Sequence, residues 1–206
     1  MDKPELKLSV FSDYICPFCY IGSRRLLRLN DTSDVKVNWC GLEIHPDTPA
    51  AGMPIERLGY APEQWRAMMD NLQVMAEAEG LTLQAHDFTT NSRQALLLAE
   101  AAKQAGRERF YALHERLFSA FFSDGLNIGD TEVLRSLAQE CGLERDLVES
   151  AWQEPRYGQR LDLNLRHAVE LGVTGTPSYV FGIRLLVGAV AEAELRQAAA
   201  QLLATH

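Results

Sequence analysis

Long apolar runs are missing from this chain, and no stretch approaches the roughly 20 residues that a membrane-spanning helix requires. Basic residues are in deficit: 20 Lys and Arg stand against 28 Asp and Glu, a formal charge of −8. A surface of that sign repels phosphate backbones and anionic lipid, so neither nucleic-acid nor membrane partners are expected. The first residues, MDKPELKLSVF, lack the continuous apolar core of a secretory signal, because Asp2, Lys3, Glu5 and Lys7 interrupt it. A cytoplasmic protein is the expectation. Cysteine is scarce, with four in 206 residues, and in a reducing compartment thiols seldom act as structural staples. Internal repeats and low-complexity segments are also lacking. A chain of this length allows one large domain, or one domain carrying a substantial insertion.

Two of the four thiols, Cys16 and Cys19, stand together as Cys-Pro-Phe-Cys around Pro17 and Phe18. Taken alone, the spacing suits a redox pair, half of a metal site or two thiols close by coincidence. Structural zinc takes four ligands, commonly from two such pairs. Here there is one copy; Cys40 ends an apolar alternation, Cys141 lies on an apolar helical face, and no His stands at finger-like spacing. No metal is therefore expected.

The surroundings of the pair are more telling. Leu6, Leu8 and Val10 alternate with Lys7 and Ser9, the period of a strand. Ile21, Leu26, Leu27 and Leu29 then read as an amphipathic helix ending near Asn30, with Arg24, Arg25 and Arg28 on an exposed face. Val35, Val37 and Trp39 give a second strand, so a βαβ unit with parallel strands is expected. The far end reads differently. Tyr157, Leu161, Leu165, Ala168 and Val169 share a helical face closed by Gly172. Two apolar runs, 179–181 and 185–187, flank Gly182 as a hairpin, and a last helix spans about 192–203.

A block of about four helices is expected between these ends. Trp65, Met68, Met69, Leu72, Met75 and Ala76 form a stripe begun by Pro62 and stopped by Gly80, read as core packing. Asn91 with Gln94 resembles a capping box. Further stripes run through Phe110, Leu113, Leu117, Phe118 and Phe121, and through Leu134, Leu137, Ala138 and Cys141.

Cys16 falls where strand gives way to helix, and Cys19 falls within the first turn. Unpaired N–H groups and the positive end of the helix dipole favour a thiolate at the first position. Cys16 is thus the candidate attacking group, and Cys19, one turn on, the candidate resolving thiol. Pro17 suits the first turn because it has no N–H to satisfy. Far along the chain, GVTGTPSYV sets Thr176–Pro177 just before a strand, where a cis bond would make a tight turn.

This combination resembles the thioredoxin superfamily, and within it the DsbA-like proteins that carry an inserted helical domain. The stretches FSDYICPFCYIGSRRL, NIGDTEVL and GVTGTPSYVFG, followed by LVGA, are most similar to the FrnE-like branch of cytosolic thiol–disulfide oxidoreductases. The resemblance implies an α/β thioredoxin fold, with residues 1–45 and 155–206 forming the thioredoxin-like domain and 46–154 an inserted helical domain. It implies Cys16 as nucleophile, Cys19 as resolving thiol and Pro177 as a cis-proline facing them. Thr176 would offer its backbone to an extended substrate, with Pro17 and Phe18 beside it. The implied partner is a disulfide-containing protein or a small thiol. No cofactor is implied beyond the Cys16–Cys19 couple, with glutathione admitted as a co-substrate. Many members of this branch carry Trp where Phe18 stands, and strongly oxidising periplasmic members carry His. Phe18 supplies no imidazolium, so a less oxidising couple is expected.

Two alternatives stay open. Glutathione-dependent isomerases of the hydroxychromene-carboxylate kind and kappa-class transferases share the architecture, generally without a resolving thiol. A client-binding protein whose helical block is the working surface is the other. Cys40 and Cys141 read as ordinary thiols and His45 as a solvated or backbone-bonded side chain, while Glu43 is a candidate proton acceptor for Cys19. Oligomeric state leaves no mark on the sequence.

Overall fold

In the computed structural model, alternation of Leu6, Leu8 and Val10 against Lys7 and Ser9 produces strand β1 (Glu5–Ser12). The structure describes residues 3–84 and 87–204; the outermost ends of the expected thioredoxin-like domain, 1–2 and 205–206, lie outside them, as do 85–86. β1 runs into helix α1 (Pro17–Leu27), which passes through a short 3-10 turn (Arg28–Asp31) to β2 (Asp34–Gly41). β1 and β2 are parallel, with Leu6 opposite Val35 and Val10 opposite Trp39. At the far end, β5 (Ser178–Phe181) and β6 (Arg184–Val187) form the hairpin, with Gly182 at φ 61°, and α8 (Glu192–Leu203) closes the chain. β5 pairs antiparallel with β1, so the sheet order is β2-β1-β5-β6.

Between β2 and the hairpin lie α2 (Pro62–Ala78), α3 (Arg93–Ala102), α4 (Arg107–Phe122), α5 (Thr131–Glu140), α6 (Arg145–Gln153) and α7 (Pro155–Glu170). A two-stranded ladder, β3 (Met53–Pro54) with β4 (Phe88–Thr89), braces the segment around α2. One hydrophobic core runs from Leu8, Cys19 and Tyr20 through Leu98, Leu117 and Phe118 to Leu134. Ile21, Leu72 and Ala76 form a second cluster between α1 and α2, and Phe11, Cys40 and Ala168 a third between the sheet and α7.

Four expectations need correction. Among the described residues the helical block before α7 holds α2 to α6, five helices; the addition is α6, nine residues that bury Val148 and Ala151. The buried face of α7 is Tyr157, Leu161, Asn164 and Ala168, whereas Leu165 and Val169 are 58% and 72% exposed. Asn91 accepts from the Arg93 N–H and donates to the Pro46 carbonyl, so it ties two loops together instead of forming a box with Gln94. Arg25 is not on an exposed face. It is 8% exposed, paired with Glu79 at 2.7 Å and bonded to the carbonyls of Ala189 and Val190.

Candidate active site

The site grows from the junction of β1 and α1. Cys16 is the N-cap residue of α1, in extended conformation, and Pro17 occupies the first turn without an N–H to orphan. Cys19 follows one turn later; its N–H donates to the Cys16 carbonyl at 3.0 Å. Both thiols are free and buried, Cys16 at 4% exposure and Cys19 at 1%. Phe18 and Pro17 are half-buried beside them.

The two thiols are made unlike by their contacts. The Cys16 pKa is lowered, first by a hydrogen bond from the Cys19 side chain; burial opposes this, while the Thr176 side chain and the Cys19 backbone N–H add to it. Cys19 is pushed well above the ordinary thiol range, chiefly by burial and then by that same bond to Cys16. In its thiol form Cys16 donates to the Thr176 carbonyl at 3.6 Å, across the Thr176–Pro177 peptide bond, which is cis. A Cβ on Gly22 would lie 2.0 Å from the Tyr179 hydroxyl and 2.9 Å from the Pro177 ring. Only glycine lets α1 approach the Pro177 turn this closely.

Asp13 is the residue sequence reasoning missed. Its carboxylate accepts from the Ile44 N–H at 2.8 Å and the Ser92 hydroxyl at 2.9 Å, and it is wholly buried. Burial raises its pKa to about 7 against those bonds, and its charge in turn raises that of Cys16. Ser12 is a second addition, because its side chain hydrogen-bonds the Cys19 thiol and favours the ionised form. The sequence offered one hint: Asp13 is the one charged residue between Leu8 and Cys19. Glu43, the carboxylate singled out from the sequence, pairs instead with Arg93. Cys40 is pushed up to about 11 by burial, and Cys141 is also raised by burial, so neither has the character of Cys16.

Cys16, Phe18 and Thr176 open onto a cleft of about 790 Å³. Its opposite wall is the stripe on α2. Leu72 and Ala76 of that stripe are buried, but Trp65, Met68 and Met69 are only half-buried and face the cleft, which corrects the reading of the whole stripe as core. His45 lines the same cleft, its pKa lowered by burial. Among the described residues, no group of three His, Cys, Asp or Glu side chains could hold a metal ion. No helix of the described residues is long and apolar enough to cross a membrane.

A βαβ unit joined to a ββα unit in one four-stranded sheet, with helices inserted between them, defines a thioredoxin-fold protein. The chain belongs to the DsbA-like thioredoxin-domain family, whose model matches residues 7–200. It is similar to a probable DsbA oxidoreductase from Streptomyces coelicolor, at 26% identity and a TM-score of 0.85, over 98% of this chain and 91% of that one. A 2-hydroxychromene-2-carboxylate isomerase shares the fold at 20% identity and TM-score 0.77, with 97% of both chains covered. So does the cytosolic disulfide reductase DsbM from Pseudomonas aeruginosa, solved with GSH, at 19% identity and TM-score 0.68 over 97% and 96% of the two chains.

Proposed function

We propose that this chain is a thiol–disulfide oxidoreductase of the FrnE-like branch, acting in the cytoplasm, with Cys16 as attacking thiolate and Cys19 as resolving thiol. One observation carries the reading: at the start of α1 the Cys16 thiol is lowered while Cys19, bonded to it, is raised. A thiolate held against a thiol is the resting state that disulfide exchange requires. Likeness to the Streptomyces coelicolor protein supports the same chemistry.

The Cys16 thiolate attacks one sulfur of a substrate disulfide. A Cys16–substrate disulfide forms, the substrate S–S bond breaks and the first substrate thiolate departs. Cys19 then attacks the Cys16 sulfur, passing its proton to the second departing thiolate. The Cys16–Cys19 disulfide forms and two electrons have moved to the substrate. A dithiol reductant returns the protein to its starting state, and the reverse sequence oxidises a dithiol. Thr176 and Pro177 flank the attacked sulfur, while Pro17 and Phe18 border it from the helix side. Substrates of this chemistry are disulfide-bearing proteins or small disulfides, and glutathione reacts by the same exchange.

The test is a cysteine series. Cys16→Ser should abolish disulfide reduction, and Cys19→Ser should trap a mixed disulfide visible by intact mass. Full activity in Cys16→Ser refutes the assignment. The isomerase reading finds support in the shared fold, and Cys19 speaks against it. Turnover of an aromatic substrate with glutathione by a Cys19→Ser protein would reverse that preference.

A further inference from the structure

The cleft over Cys16 is unusual in its charge. Among the described residues that line it, Glu77 is the only charged side chain. Burial holds His45 toward its neutral form. The remaining surface is Met68, Met69 and Leu72 on one side, Leu83 and Phe18 on others, and Trp65 stacked on Tyr60 at 5.7 Å. Lysines and arginines gather elsewhere: Lys7, Lys36, Lys103 and Arg107 line a different hollow of about 820 Å³ that includes neither Cys16 nor Cys19. A carboxylate entering the cleft gains no cation from the described lining residues, and Glu77 adds a charge of its own sign. Methionine and aromatic walls instead suit flat or branched apolar groups of varied shape. The volume of about 790 Å³ is that of a small-molecule site, and Cys16, which lines it, is a buried residue. A small disulfide fits within such a cleft with its sulfur against Cys16.

We infer that the substrate is a low-molecular-weight disulfide whose flanking groups are uncharged and aromatic or aliphatic, and that the cleft discriminates against glutathione, which carries two carboxylates. This rests on the oxidoreductase reading, and binding and turnover test the two separately.

Two probes carry the same N-acetylcysteinyl amide around the sulfur and differ only in the group beyond it: the disulfides of N-acetylcysteine benzylamide and of N-acetylcysteinylglycine. Wild-type protein should reduce the benzylamide disulfide with kcat/KM at least about tenfold above the glycine disulfide and above glutathione disulfide. On the Cys16→Ser protein, calorimetry should find the S-methyl thioether of N-acetylcysteine benzylamide bound at least about tenfold more tightly than S-methylglutathione. Met68→Lys, which sets a cation in the wall, should narrow that ratio or reverse it. Equal or tighter binding of S-methylglutathione by the Cys16→Ser protein with Met68 intact overturns the inference, as does faster reduction of a folded protein disulfide than of the benzylamide compound by the wild type. Selective thioether binding with no disulfide reduction by the wild type would refute the oxidoreductase reading and leave the cleft's preference standing.

Discussion

The Cys16 thiol meets the Thr176 carbonyl at 3.6 Å across 160 residues of sequence, so the sulfur of the first helix and the Pro177 turn form one surface. Cys19 holds the other side of that sulfur, and its hydrogen bond is the largest influence lowering the Cys16 pKa. Cys19→Ala removes the donor. Iodoacetamide alkylation of Cys16, followed against pH, should show its midpoint moved upward in Cys19→Ala relative to the wild type. An unmoved midpoint would mean that the helix terminus, not the neighbouring thiol, ionises Cys16.

Gly22 and Tyr179 decide how closely α1 sits on β5. Gly22→Ala places a methyl 2.0 Å from the Tyr179 hydroxyl, and overpacking of this kind typically costs about 1–3 kcal/mol. That hydroxyl is buried without a hydrogen-bond partner among the described residues. Tyr179→Phe should therefore be neutral or stabilising by up to about 1 kcal/mol. The double variant Gly22→Ala/Tyr179→Phe should recover part of the loss seen in Gly22→Ala alone. Urea unfolding of the four proteins measures the coupling, and strict additivity would show that the hydroxyl is not the obstacle.

Local periodicity made much of this legible. β1, β2, the hairpin and α8 follow from alternation or from helical stripes within single segments, and the Cys16–Cys19 pair is visible in four residues. Asp13 was not, because its meaning lies in Ile44 and Ser92, distant residues that converge only in the fold. Arg25 read as solvated because nothing local announces Glu79, which arrives with the C-terminal end of α2 and draws the guanidinium inward. The α2 stripe is apolar for two reasons at once: Leu72 and Ala76 pack against Ile21, while Trp65 and Met68 wall a cleft. Hydrophobicity alone does not separate a core face from a binding face.

Asp13 and His114 give acid stability an unusual shape. His114 is wholly buried between the Tyr14 hydroxyl and the Ser23 hydroxyl, each at 2.9 Å, and burial lowers its pKa to about 3 from 6.5. The unfolded chain thus binds one more proton between those values, and stability falls as pH drops below 6.5. Asp13 is raised from 3.8 to about 7, so there the folded chain holds the extra proton and stability falls as pH rises through that window. Between about pH 4 and 6.5 the two slopes, each about 1.4 kcal/mol per pH unit, oppose one another. Asp13→Asn should unmask the His114 slope, with stability declining on acidification below pH 6.5. His114→Gln should unmask the opposite slope. Urea titrations at half-unit pH steps read the slopes independently of each variant's absolute loss.

Phe18 sets the remaining variable, the redox poise. It stands between the two thiols in sequence, half-buried, packed against both the main core and the Leu72 cluster, and it lines the cleft. An apolar ring there gives the Cys16 thiolate no positive partner, so the reduced form gains nothing beyond the hydrogen bonds from Cys19 and the Thr176 side chain and the helix terminus. Oxidising power follows stabilisation of the reduced form, and each tenfold gain raises the potential of this two-electron couple by about 30 mV. Phe18→His should therefore make the couple more oxidising by about 30 mV or more while the imidazole is protonated, with the gain fading as pH rises past the imidazole's own titration. The same variant should lower the Cys16 pKa, since one cation acts on one thiolate in both measurements. Glutathione redox titration at pH 6 and pH 8, with alkylation kinetics on the same samples, checks both. A potential unchanged at pH 6 while the thiol pKa falls would break the link between thiolate stability and redox poise in this protein.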